Sequence, residues 1–231
     1  MSRILVIGDI HEPVAHPAYL SFCEDLYDQW DCGQVIFIGD IVDHHAISFH
    51  THHPDCPGPS DEYELSLEKI QGWYEAFPKA RVCIGNHDAR IVRLAESVNI
   101  PSKFLRDYAE TWDTPGWDWQ YEHLVEDVYY FHGEGCSGLY PAANAGKKMS
   151  LNVCMGHVHT AFGVTYWANP QRRFWAASTG CGIDDRAAAF AYGKHFKLRS
   201  VLGAVVVVDG TPYAEPMPVG PKERYHRSKF K

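Results

Sequence analysis

The sequence predicts an α/β fold whose first half alternates strands with helices and whose second half is rich in strands. Three observations carry this. Short apolar runs at Ile4–Ile7, Val35–Ile38 and Arg81–Ile84 are separated by stretches of helical periodicity, the pattern of parallel strands joined by crossovers. Beyond residue 150 the apolar runs Phe162–Trp167, Arg173–Ala177 and Leu202–Val208 follow with no long helical period between them. Each early run also ends at a glycine followed by polar side chains, where open α/β sheets bind ligands.

In order, Ile4–Gly8 is the first strand. Pro17 opens a helix whose apolar face is Tyr19, Phe22, Cys23, Leu26 and Trp30. Val35–Ile38 follows as a strand parallel to the first, by a right-handed crossover. Residues 44–60 form an insertion rich in His, Pro and Gly; loops of this length are functional or mobile. Asp61 and Glu64 resemble a capping box, and Tyr63, Leu67, Ile70, Tyr74 and Phe77 form the stripe of the next helix, which Pro78 ends. Strand Arg81–Ile84 delivers Gly85-Asn86-His87-Asp88, after which Ile91, Leu94, Ala95 and Val98 recur at helical spacing. Pro101–Tyr108 reads as a short helix. Trp117, Trp119 and Tyr121 alternate, so packing on one strand face is preferred to base stacking for these tryptophans and Trp112. Val128–Phe131 is a strand, Pro141–Lys148 a short helix and Leu151–Met155 a strand. Asp209-Gly210 is a type I′ hairpin signal between Leu202–Val208 and Thr211–Ala214. One domain over residues 1–217, followed by a basic, flexible tail at 218–231, is the expected organisation.

Composition narrows the function classes. The 231 residues carry a net charge of −8, which does not advertise a nucleic-acid surface. Mean hydropathy is −0.30 and no apolar run could span a bilayer, so no membrane association is expected. Seven cysteines without a Cys-x-x-Cys pair argue against a disulfide framework or zinc ribbon, and a reducing cytoplasm is the expected setting. Cys83 and Cys154 lie in apolar strands and read as core. Fourteen histidines are the compositional oddity. His50, His52 and His53 read as a solvated loop, whereas His44 and His45, next to Asp43, are expected to face a cleft.

Five strands end in side chains able to bind metal: Asp9 and His11; Asp40 and Asp43; Asn86 and His87; His132; His157 and His159. Carboxylate, amide and imidazole together suit divalent Mn, Fe, Zn or Ni, and no cysteine among them argues against structural zinc. A glycine beside each block lets backbones crowd round an ion. One such block is weak; five in order favour a site for two ions sharing a carboxylate.

The ordered set Gly8-Asp9-Ile10-His11, Gly39-Asp40-Ile41-Val42-Asp43, Gly85-Asn86-His87-Asp88, His132-Gly133 and Gly156-His157-Val158-His159 resembles the calcineurin-like metallophosphoesterases. Phe104–Tyr108 and Thr179–Asp184 further resemble small members carried by bacteriophages. The resemblance implies a four-layer α/β/β/α sandwich of two mixed sheets with flanking helices. It implies that Asp9, His11 and His159 hold one ion, that Asn86, His132 and His157 hold the other, and that Asp40 bridges them. Manganese is the first expectation. His87 would be the general acid, with Asp43 orienting it; two ions about 3.5–4 Å apart would activate a water and clamp the phosphate. Family members that dephosphorylate proteins carry an arginine after the position of Asp43, where this chain has His44. His44 or Arg90 is the expected substitute in binding substrate phosphate. Phosphodiesters of nucleotide or nucleic-acid type are thus expected ahead of phosphomonoesters, including phosphoproteins. Phosphoesterase-like scaffold proteins, the non-catalytic alternative, have lost ligands or the acid histidine; this chain keeps both.

Overall fold

Aliphatic alternation along the central strands sorts side chains into two separate cores. In β1 (Arg3–Ile7), Leu5 and Ile7 point to one side and Ile4 and Val6 to the other. β2 (Gln34–Phe37) does the same with Val35 and Phe37 against Ile36, and β10 (Gly203–Val208) with Ala204 and Val206 against Val205 and Val207. A strand buried on both faces belongs inside a layered fold. The computed structural model describes residues 1–49, 52–190 and 198–219.

The first sheet has the order β11–β10–β1–β2–β3–β4, where β3 is Ala80–Cys83, β4 Trp117–Gln120 and β11 Thr211–Pro216. Strands β1 to β4 run parallel, and β10 and β11 pair antiparallel at one side. The second sheet has the order β5–β6–β7–β9–β8: β5 is Glu122–Val125, β6 Val128–Phe131, β7 Asn152–Met155, β8 Phe162–Ala168 and β9 Arg173–Thr179. Here β6, β7 and β9 are parallel while the flanking β5 and β8 are antiparallel.

Between the sheets lie Ile4, Val6, Ile36 and Ile38 from one side and Val128, Tyr130, Cys154, Trp175 and Ala177 from the other. Outside the first sheet pack helices α1 (Tyr19–Gln29) and α2 (Pro59–Ala76), through Tyr19, Cys23, Leu26, Ile70 and Trp73. Outside the second packs α5 (Pro141–Met149), whose Ala142 and Ala143 meet Val153, Met155 and Ala176. This is the four-layer sandwich of two mixed sheets, and each fully buried aliphatic side chain in it contributes about 1.5–3 kcal/mol. All seven cysteines are free thiols, with Cys83 and Cys154 buried between the sheets. Among the described residues no helix is long and apolar enough to cross a membrane.

Local expectations shift in places. α1 starts at Tyr19, two residues after Pro17. α2 starts at Pro59, with the proline in its first turn rather than a cap at Asp61. Its buried face is Glu62, Ser66, Ile70 and Trp73, and Tyr63 is exposed. The cause is polar: Glu62 accepts from the backbone N–H groups of His45 and Ala46, while Ser66 Oγ and Trp73 Nε1 donate to Glu12. In α3 (Arg90–Ser97) Arg90 and Ala95 are buried and Ile91 is exposed. Pro101–Tyr108 is instead a 3₁₀ turn, Ser102–Phe104, followed by α4 (Tyr108–Thr111), which Asp107 caps by accepting from Glu110 N–H. β5 carries no clear alternation and was not foreseen. Trp112 and Trp117 are buried core residues, and Trp117 Nε1 donates to Phe77 O. His50 and most of the basic tail, residues 220–231, lie outside the described residues.

Candidate metal centre

The turns that follow β1, β2, β3, β6 and β7 meet at one edge of the sandwich, because parallel strands deliver their C-terminal ends to the same side. Backbone bonds knit them together. Ile10 and His11 N–H both donate to Asp40 O, Asp43 N–H donates to Glu12 O, and Gly156 N–H donates to His132 O. His157 N–H reaches across to Asp9 Oδ2 at 2.9 Å, joining the two sheets at the site. Close approach needs glycine: a Cβ on Gly85 would collide with the Asp40 carboxylate, and one on Gly156 with Asp9 Oδ1. His11, Asp40 and His157 adopt positive φ of 56°, 50° and 65°, at a cost of about 1–3 kcal/mol each.

The side chains converge in two groups that share Asp40, beside a third cluster of His11, Asp43 and His87. In the first, His159 Nε2 lies 3.0 Å from Asp9 Oδ2 and 3.1 Å from His11 Nε2, and His11 Nε2 lies 3.5 Å from Asp40 Oδ2. In the second, His132 Nε2 lies 3.2 Å from Asp40 Oδ2, 3.0 Å from Asn86 Oδ1 and 3.1 Å from His157 Nδ1. Oδ2 of Asp40 thus belongs to both. Ligands held at about 2.0–2.2 Å around one ion stand about 3 Å apart in octahedral geometry, so these spacings fit a divalent cation in each group. Asp9 Oδ1 is buried with no hydrogen-bond partner, a lone acceptor at the first group that a cation would satisfy.

Neighbouring contacts aim the rings. His132 Nδ1 bonds Ile38 O at 3.1 Å, turning Nε2 inward. His11 Nδ1 bonds Asp43 Oδ1 at 2.8 Å, turning its Nε2 to His159. The same Asp43 oxygen is 3.3 Å from His87 Nδ1, which bonds the Asp43 carbonyl at 2.6 Å. Asp43 therefore serves two histidines. His87 is close to both groups but its N–H and ring are held by Asp40 Oδ1 and Asp43.

Charge follows from burial. Burial works to raise the Asp40 carboxyl, but His132, His87 and His11 around it hold it well below the usual range. Asp43 is likewise held low against burial, by the hydrogen bonds of His11 and His87. Burial works to lower His132, yet Asp40 beside it raises the imidazole to about 10. The same balance, with Asp40 and Asp43 outweighing burial, raises His87. Burial lowers His11 and His157, helped by His87 and His132 respectively. The site thus concentrates ionised Asp40 and Asp43 with His11 and His157 held neutral, and a cation bound beside Asp40 would take the place of the His132 proton.

Asp88, absent from the expected site residues, is fully buried and clamps two turns. Its Oδ1 accepts from Ile41 N–H at 2.9 Å and Val42 N–H at 3.3 Å, and Oδ2 from Gly85 N–H at 2.9 Å. Burial and the Asp40 carboxylate push its carboxyl up to about 7, while those donors favour the ionised form. Its only signal in the sequence is an acid inside the Gly85–Asp88 turn.

Two expected phosphate binders sit elsewhere. Arg90 Nη1 donates to the carbonyls of Asp43 and His44 at 2.8 and 2.7 Å, bracing that turn from below. His44 Nδ1 bonds His87 O and its ring packs on Trp112; burial lowers it to about 4, so it is neutral at pH 7. His45 Nε2 accepts from His53 N–H, and His52 Nε2 bonds Pro57 O, so these loop histidines serve the loop itself. The cleft over the ligands, about 430 Å³, has Asp40, Asn86, His87, His157 and His159 as its floor. No described residue of the 44–60 insertion lines it. Its far wall comes instead from Ile183, Asp185, Phe190, Leu198, Arg199 and Ser200, a contribution that no motif announced.

Comparison with known proteins adds the following. The family model described as calcineurin-like phosphoesterase matches residues 2–171. No curated protein sequence matches significantly. Similar solved structures include an archaeal phosphodiesterase (12% identity, 93% of this chain and 99% of that one, TM-score 0.48). Others are vacuolar protein sorting 29 from Cryptosporidium parvum (11%, 94% and 96%, 0.47) and Pseudomonas putida nuclease MPE (16%, 93% and 87%, 0.41). Likenesses this distant leave the activity to be argued from the site.

Proposed function

Since the chain belongs to the calcineurin-like phosphoesterase family, we propose that it hydrolyses phosphate esters with two divalent ions, manganese first among the candidates. One observation carries the reading: Asp40 Oδ2 stands between two groups of converging donors, 3.5 Å from His11 Nε2 and 3.2 Å from His132 Nε2. Asp9, His11 and His159 would hold one ion, and Asn86, His132 and His157 the other, with Asp40 common to both. Bound there, the ions supply Lewis acidity that acidifies a water and draws in the phosphate oxygens.

The protein supplies the rest. His87 lines the cleft, its Nδ1 is engaged by Asp43, and the two nearby aspartates favour its protonated form. It is therefore placed to give a proton to the departing alkoxide from Nε2. Asp43 holds His87 and His11 together, so acid and ligand keep a fixed relation. Phosphodiesters of nucleotide or nucleic-acid type are the favoured substrates, because the residue after Asp43 is a neutral His44 packed on Trp112 rather than a cation. Phosphomonoesters are the second reading, favoured by a guanidinium in the far wall of the cleft, that of Arg199.

A panel with added Mn²⁺ tests this: bis-p-nitrophenyl phosphate, p-nitrophenyl phosphate, cyclic nucleotides, single-stranded DNA and a phosphopeptide. Diesters should turn over fastest. Preference for the monoester or phosphopeptide would favour the second reading, and no turnover by protein that carries its metals would mean a binding scaffold.

A further inference from the structure

A phosphoryl group in the cleft needs a partner for the oxygens that face away from the ligand cluster. Among the described residues lining the cleft, Arg199 is the one lysine or arginine. Arg90 is not among the residues lining the cleft; its Nη1 donates to the Asp43 and His44 carbonyls. Arg93 lies outside the cleft, 3.4 Å from Glu134 on the surface.

The backbone holds Arg199 in register with the site. Two residues on, Val201 N–H donates to His159 O at 2.8 Å, and Cys181 N–H donates to Val201 O at 2.9 Å. Cys181 also bridges to Asp9 and to Leu202. The segment carrying Arg199 is thus strapped to two of the ligand residues, Asp9 and His159. The one acidic side chain from the far wall is Asp185, and Ser200 adds a hydroxyl beside Arg199.

We propose that Arg199 is a specificity-determining residue that binds the non-bridging oxygens of the substrate's phosphoryl group. The inference rests on the phosphoesterase reading of the site and deepens it. A guanidinium presents paired N–H donors that match two phosphate oxygens, which an ammonium cannot do. It lines the same cleft as Asp40, Asn86, His157 and His159, so a phosphoryl group bound there would meet both. A monoester dianion, with more charge on those oxygens, depends on Arg199 more than a diester does.

The test is calorimetric binding of inorganic phosphate to the Mn²⁺-loaded full chain, beside steady-state kinetics with both p-nitrophenyl substrates. Arg199→Ala should weaken phosphate binding by about 10–100-fold, the range of one charge-assisted hydrogen-bonded pair. KM should rise more for the monoester than for the diester, with metal content unchanged. Arg199→Lys should recover part of the loss, and it keeps the argument open to refutation should the alanine variant fold poorly. Arg93→Ala, which removes an equal charge from outside the cleft, should change little. Wild-type affinity and KM in metal-loaded Arg199→Ala, or an equal loss in Arg93→Ala, would overturn the assignment. Wild-type protein that binds no phosphate and cleaves no ester would instead overturn the phosphoesterase reading beneath it.

Discussion

Replacing Asp88 isolates the clamp between the turn that carries Asp40 and the turn that carries Asn86 and His87. The carboxylate is fully buried and accepts from Ile41 and Gly85 at 2.9 Å each and from Val42 at 3.3 Å. In Asp88→Ala the two short donors lose their acceptor, and at about 1–3 kcal/mol for each buried orphan the loss is about 2–6 kcal/mol. In Asp88→Asn one oxygen can still serve Ile41, but the amide N–H₂ then faces Gly85 N–H, so about 1–3 kcal/mol should go. Against a total stability of about 5–15 kcal/mol, the alanine variant is severely weakened and the asparagine variant remains foldable. Urea unfolding in the presence of a chelator is the assay, because bound ions would add their own stabilisation and mask the difference. An alanine variant within about 0.5 kcal/mol of wild type, the range of a neutral surface change, would refute the clamp.

Four other replacements address the chemistry. His87→Ala should keep both metals and lose about 10²–10⁴-fold in turnover of substrates with alkoxide leaving groups, with a smaller loss for p-nitrophenolate, which needs no proton; metal loss, or an equal loss for every leaving group, would make the histidine a ligand or phosphate binder. Asp40→Asn should reduce metal content at both groups, whereas His11→Ala should mainly empty one, as elemental analysis of the purified variants would show. Asp43→Asn should weaken the ion on the Asp9 side about 10–100-fold, because its carboxylate fixes the His11 ring, and should also lower turnover through His87; dialysis against graded Mn²⁺ separates these effects.

The ligand-bearing turns were legible in the sequence because each is local: a strand end, a glycine and a metal-capable side chain lie within a few residues. β1, β2 and β10 were legible as strands for a similar reason, being written in consecutive aliphatic residues. What depends on residues distant in the chain was not. The buried face of α2 includes Glu62 and Ser66, and hydrophobic periodicity cannot foresee that their partners come from the 45–46 backbone and from Glu12. Arg90 looked like a phosphate clamp from its position three residues after His87. Its side chain turns back to the Asp43 and His44 carbonyls, a direction fixed only once the turn is folded. Asp43 is expected to orient His87, yet its carboxylate lies closer to His11, from a turn 32 residues earlier, than to His87. The far wall of the cleft, with Arg199, carries no local pattern at all.

Titrating Mn²⁺ into metal-depleted protein while following hydrolysis of bis-p-nitrophenyl phosphate tests the two-ion site most directly. Activity should be absent without metal, rise with each addition and level off at two equivalents per chain. Full activity in excess chelator, a plateau at a single equivalent, or no hydrolysis by protein shown to hold two ions would contradict it.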